Sequence, residues 1–210
     1  VSAIGRGMSS GALTVRGDVG FRFAAEMSGG LVELEGDCRD WAGAEMSGGL
    51  LRIRGRAGDG LGAAYPGSRR GMREGLILVD GDAGDDAGLM MRRGLIAVRG
   101  RVGDGLGRGM IAGTIVACGE VGAAPGIGMK RGTIVLLGDG LDASALIPPT
   151  FVLAGGFAFP LLVVYRRHLA AHGFDPPSSV SSALFDRYNG DLANGGQGEI
   201  LTPSPHPTLS

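Results

Sequence analysis

His168 and His172 lie four residues apart, a spacing that puts two imidazoles on one helix face, where they could share a metal ion. No third ligand stands near them, so ordinary helix surface is the preferred reading. His206, set among prolines close to the end, reads as solvated. Cys38 and Cys118 are far apart, have no second Cys or His at ligand spacing, and are expected to be buried thiols. Catalysis needs a nucleophile, base or metal held in a cleft, and no histidine precedes residue 168. The expectation is a chain with no catalytic residue, cofactor or metal of its own.

Two polar columns are more informative. Asp40, Asp59, Asp85 and Asp104 occupy one position of an internal repeat, and stacked carboxylates repel unless hydrogen-bonded or neutralised. They read as turn-holding residues that accept from backbone N–H groups two residues on. Calcium is the alternative, although the nonapeptide period that accompanies it elsewhere is missing. Arg73, Arg92, Arg93, Lys130 and Arg131 follow the methionine of three repeats and form a basic edge. That edge is either a solvated corner with some partner salt bridges or a site for a multiply anionic ligand. Tyr65, Arg69 and Arg70 lie in a seven-residue insertion within residues 63–70, a composition favoured at interfaces.

The elements that must position these residues follow from the repeat itself. Met8, Met27, Met46, Met72, Met91, Met110 and Met129 are separated by 19, 19, 26, 19, 19 and 19 residues. Each opens the pattern M-x-x-G-x-[ILV]-x-[VILA]-x-G, clearest from Met91 to Gly100. Between the two glycine columns the apolar residues alternate, as in Ile96 and Val98 or Ile134 and Leu136, which is a strand with one buried face. A 19-residue unit cannot bury that face alone, so the units must stack, with the methionines in an internal ladder. A substrate-binding methionine stripe is the alternative. The pattern predicts an all-β, right-handed parallel β-helix of about seven 19-residue coils over residues 1–147. A helical C-terminal cap is expected over 148–201 and a disordered tail over 202–210. Helices are expected from Pro160 to His172 and around Ser182 to Asn194. The outward residue of each strand is Thr14, Glu33 and Arg52 at first and then Leu78, Ala97, Val116 and Val135. This gives an apolar stripe that Leu161, Val164, Tyr165 and Leu169 are expected to cover.

Composition sets outer limits. A net charge of -1 gives no general attraction to nucleic acid or to an anionic membrane, and no apolar run approaches a bilayer span. A cytoplasmic protein is the expectation. The 42 glycines carry no collagen period, and the chain is too rich in Val, Ile and Leu for disorder. They must therefore be structural punctuation.

With these columns in view, residues 5–147 resemble the GXGXG domain shared by the third subunit of formylmethanofuran dehydrogenase and the C-terminal domain of the large subunit of glutamate synthase. The stretch from Pro66 to Arg73, that from Asp82 to Gly88, and the segments Phe185–Leu192 and Gly198–Leu201 resemble the corresponding GXGXG subunit of the bacterial formyltransferase/hydrolase complex. The resemblance implies a non-catalytic subunit in tetrahydromethanopterin-linked one-carbon metabolism. It would scaffold amidohydrolase-like and formyltransferase subunits, which hold the active sites. A glutamate-synthase-type domain and a polyanion-binding module are the competing readings.

Overall fold

The computed structural model describes residues 1–158, 161–177 and 184–204. His206, the tail from 205 onward, Pro160 and Ser182 lie outside them. The seven repeat strands are β1 (Ala12–Arg16), β2 (Ser28–Glu35), β3 (Ser47–Ile53), β4 (Glu74–Val79), β5 (Leu95–Val98), β6 (Thr114–Ala117) and β7 (Arg131–Leu136). Each pairs in parallel with the next, so that like positions meet: Ile77, Ile96, Ile115 and Ile134 form one row. A second row of single-residue parallel bridges runs through Val19, Cys38, Ala57, Ala83, Val102 and Val121.

The expected all-parallel helix of seven coils closed by a helical cap is corrected. The described strands form a single ten-stranded mixed sheet in the order β1-β2-β3-β4-β5-β6-β7-β10-β9-β8. After α1 (Ala143–Leu146), the chain returns as β8 (Val152–Ala158), α2 (Leu161–Ala171), β9 (Leu184–Gly190) and β10 (Gln197–Pro203). β10 adds in parallel to β7, with Gly198 beside Gly132 and Ile200 beside Ile134, whereas β9 and β8 follow antiparallel. The exposed edge of β7 is the physical reason: unpaired N–H and C=O groups are satisfied better by a further strand than by a helix. In place of the second expected helix stands β9, followed by a 3-10 turn at Leu192–Asn194.

The methionine ladder holds. Met27, Met46, Met72, Met91, Met110 and Met129 are fully buried, while Met8, at the end of the stack, is half-buried. The two glycine columns answer different needs. Gly94 has φ +96, a left-handed conformation, whereas Gly100 has the carbonyl carbon of Gly81 2.7 Å from where a Cβ would sit.

On the outer face the apolar stripe is covered, by a set of side chains that overlaps the expected one. Leu78, Ala97, Val116 and Val135 pack with Leu169, Phe174 and Phe185, with Tyr165 at the margin. The Tyr165 hydroxyl lies 3.0 Å from Thr114 Oγ1. Val164 is exposed, and the side chain of Leu161 is outside those described. With both faces covered, β5 and β6 are buried at every residue, while β1 alternates between exposed and half-buried. Arg52, expected to face water, is buried: it forms a bidentate pair with Asp80 and donates to the carbonyls of His172 (2.8 Å) and Gly173 (3.2 Å) just after α2.

The return to β10 is locked by Asp191, which is buried. Its carboxylate accepts from Gly128 N–H at 2.9 Å and Ala193 N–H at 3.0 Å. Burial alone would raise its pKa, but those amides together with the Thr150 and Asn194 side chains outweigh it and hold the carboxyl below its ordinary range. Asp191→Ala is expected to cost about 1–3 kcal/mol at pH 7. The ionic part of that stabilisation is present above the unfolded value of about 3.9 and lost as pH falls through the lower folded value, so the gap to wild type should narrow in acid. Urea unfolding at pH 7 and pH 3 measures it, and an equal gap at both would refute the linkage.

Candidate functional site

The basic edge is built by the strand entries. The residue after each buried methionine donates its N–H to the methionine carbonyl of the preceding unit: Arg73 to Met46 at 2.7 Å, Arg92 to Met72 at 2.8 Å, Ile111 to Met91 and Lys130 to Met110 at 2.7 Å. These residues therefore make one row at repeat spacing. Arg93, Ala112 and Arg131 follow as the next residues of their units, with Glu74 at that position behind Arg73. The insertion is pinned at its base, where Ala64 and Gly71 donate to Leu89 and Met90. Arg92 joins it to the row through Nε and Nη2, 3.4 and 3.3 Å from the carbonyl of Arg69.

Arg69, Arg70, Arg73, Arg93 and Lys130 are exposed, and among the described residues none of them forms an ion pair. Arg131 reaches Gln197 Oε1 at 2.8 Å. Other arginines are neutralised: Arg6 by Glu26, Arg16 by Glu35, Arg56 by Asp37 and Arg108 by Asp86. Among the described residues the corner thus keeps its charge unpaired. Tyr65 has a different role. Its ring packs on Trp41, with centroids 5.7 Å apart, under the Arg22 guanidinium, and its N–H reaches Glu45 Oε1 at 3.3 Å. Its hydroxyl is buried beside the Glu26 carboxylate without hydrogen-bond geometry, and burial first, then that charge, raise the phenol's pKa. Tyr65 anchors the loop that carries Arg69 and Arg70.

The aspartate column holds backbone, though not as expected. Each carboxylate accepts from the next unit rather than from two residues on: Asp59 N–H reaches Asp40 at 3.2 Å, Asp85 N–H reaches Asp59 at 2.9 Å, Asp104 N–H reaches Asp85 at 2.8 Å, and Ala123 N–H reaches Asp104 at 2.7 Å. Gly58, Gly84, Gly103 and Gly122 lie against those carboxylate oxygens, where any Cβ would collide. Asp18, Asp37 and Asp82 make a parallel set of bonds to Asp37, Arg56 and Arg101 N–H groups. Among the described residues no three His, Cys, Asp or Glu side chains are disposed to hold a metal. His168 and His172 are exposed, their rings edge-on with centroids 5.2 Å apart. Burial pushes the Cys38 and Cys118 thiols up to about 12, leaving little thiolate for nucleophilic chemistry at neutral pH. Among the described residues no helix is long and apolar enough to cross a membrane.

No protein-family model and no curated protein matches the chain. A solved structure does. The X-ray crystal structure of the formyltransferase/hydrolase complex (FhcABCD) from Methylorubrum extorquens in complex with methylofuran contains a chain similar to this one. The identity is 35% over 95% of this chain and 73% of that one, with a TM-score of 0.85. This chain belongs to the family of formyltransferase/hydrolase complex subunits. Arg52 and Asp191, whose burial and partners sequence reasoning missed, are among the polar residues that fix the C-terminal elements of this family member on its sheet, beside Thr114, Arg99, Arg131 and Thr133. The partners of Arg52 and Asp191 lie 120 and 63 residues away, so no local pattern could have found them.

Proposed function

We propose that this chain is the GXGXG subunit of a formyltransferase/hydrolase complex, a non-catalytic scaffold in tetrahydromethanopterin-linked one-carbon metabolism. Its neighbours would be amidohydrolase-like and formyltransferase subunits, which hold the active sites and act on a methanofuran-type carrier in the cytoplasm. The observation that carries this reading is the likeness across 95% of the chain to a chain of such a complex. The disposition of polar groups supports it, because the aspartates bind backbone amides and the buried arginine clamps a helix end, which leaves these groups committed to rigidity. β8 also ends the sheet, with Val152 and Leu153 each 53% exposed and no charge along the strand. Among the described residues no strand pairs with that edge, and an apolar edge of that kind favours cover by another chain.

Co-expression with a hydrolase chain and a formyltransferase chain of such a complex tests the reading. A stable assembly should form, and formate release from the formylated carrier should require this chain, while the isolated chain neither hydrolyses nor transfers formyl groups. Turnover by the isolated chain, or full activity without it, would overturn the proposal.

A further inference from the structure

We infer that the basic corner is a docking groove for an extended acidic segment of a partner chain, one that places an apolar residue between two acidic clusters. The inference rests on the scaffold reading. Charge complementarity selects the occupant: Arg69, Arg70, Arg73, Arg93 and Lys130 are exposed and form no ion pair among the described residues, and Arg92 and Arg131 stand beside them, in a chain whose net charge is -1. Repeat spacing orders them. Successive units stand about 4.8 Å apart, so the cluster at Arg73, Arg92 and Arg93 is separated from Lys130 and Arg131 by two steps, roughly 10 Å.

The intervening unit supplies Ile111 and Ala112, with Ile127, 38% exposed, nearby in sequence to Lys130. An extended peptide advances about 3.3 Å per residue and alternates its side chains between two faces, so acidic residues four positions apart, about 13 Å, bracket the two cationic clusters from one face and leave the apolar side chain midway between them over the gap. The two basic positions of each unit carry no aromatic side chain on which bases could stack, and the Tyr65 ring of the insertion is already packed on Trp41 and under Arg22, which counts against a single-stranded nucleic acid. A purely polyanionic ligand would gain nothing from the isoleucine.

The test uses the full chain and a fluorescent acetylated peptide of sequence Glu-Glu-Leu-Glu-Glu, followed by anisotropy. Binding is expected at low ionic strength and should weaken as salt rises. Arg93→Glu with Lys130→Glu should weaken it by about tenfold or more, and Ile111→Ser by a few fold, while Arg16→Gln at the far end of the stack should leave it unchanged. Inorganic polyphosphate and an all-glutamate peptide of equal length serve as competitors. No binding, or binding in which the all-glutamate peptide competes equally and Ile111→Ser has no effect, overturns the inference. Assembly of the same variants with the hydrolase and formyltransferase chains is measured in parallel. Loss of peptide binding with assembly intact sinks the docking inference alone, whereas failure of the wild-type chain to assemble sinks the scaffold reading.

Discussion

Replacing Arg52 with methionine is expected to destabilise the protein by about 3–5 kcal/mol and to loosen α2 from the sheet. Arg52 is 4% exposed, and its guanidinium has three kinds of partner: the Asp80 carboxylate, held bidentately, the carbonyls of His172 and Gly173, and the Phe174 ring 5.8 Å away. Methionine keeps much of the volume but no donor. Two carbonyls at the C-terminal end of α2 would then lose their cation, where a positive charge also suits the helix dipole. Asp80 keeps Arg54 at 3.3 Å and Arg99 at 3.5 Å, so its own cost is moderated. The segment that Arg52 holds carries Leu169 and Phe174, both fully buried against Leu78, Ala97 and Val116. Local release would uncover that apolar stripe, and a hydrophobic dye should bind before global unfolding begins. Arg52→Lys should recover only part of the loss, because an ammonium cannot serve a bidentate carboxylate and two carbonyls from one planar fork. Urea unfolding within about 1 kcal/mol of wild type, with no gain in dye binding, would rule this out.

That clamp marks the boundary of what the residue pattern discloses. Positions that recur every 19 residues are legible, since identical partners in successive units fix register: the methionines, both glycine columns, the aspartates and the basic row all lie where the period puts them. The C-terminal third is not. β10 follows β7 by 66 residues in register, although Gly198 and Ile200 fit the glycine and isoleucine columns and could have revealed an eighth parallel strand. At β9 the spacing of Phe185, Tyr188 and Leu192 by three and four residues suggests helix, yet Phe185 and Tyr188 are also good strand formers, and a waiting edge decides the matter. The pattern sends Arg52 to solvent because its neighbour in the row is Glu33, and only the distant His172–Phe174 segment buries it. At the candidate site the cations are legible, while the Arg92 bond to the Arg69 carbonyl, which turns an insertion into part of the corner, depends on a loop conformation that no period encodes.

Gly94→Ala and Gly67→Ala should separate two costs that glycine otherwise hides. Both residues have positive φ, +96 and +83, so alanine at either position meets the left-handed penalty of about 1–2 kcal/mol. Around Gly67, in the insertion, nothing lies within 4 Å of an added Cβ, and the variant should lose little beyond that penalty. Around Gly94 the new methyl would sit 2.7 Å from Met72 Cε, 2.9 Å from the Gly75 carbonyl oxygen and 3.3 Å from the Glu74 carbonyl carbon. The methionine end is flexible and gives way. The carbonyls belong to the adjoining strand, while Arg92 N–H bonds Met72 O at 2.8 Å and the Gly94 carbonyl accepts from Thr114 at 3.0 Å, so backbone on both sides is tethered. One methyl must therefore spread two units or distort a register shared by eight parallel strands. Gly94→Ala is expected to cost about 4 kcal/mol, with the midpoint of urea unfolding falling well below that of Gly67→Ala. Equal losses at the two sites would mean that conformation alone explains the glycine column and that close stacking of successive units contributes nothing to it.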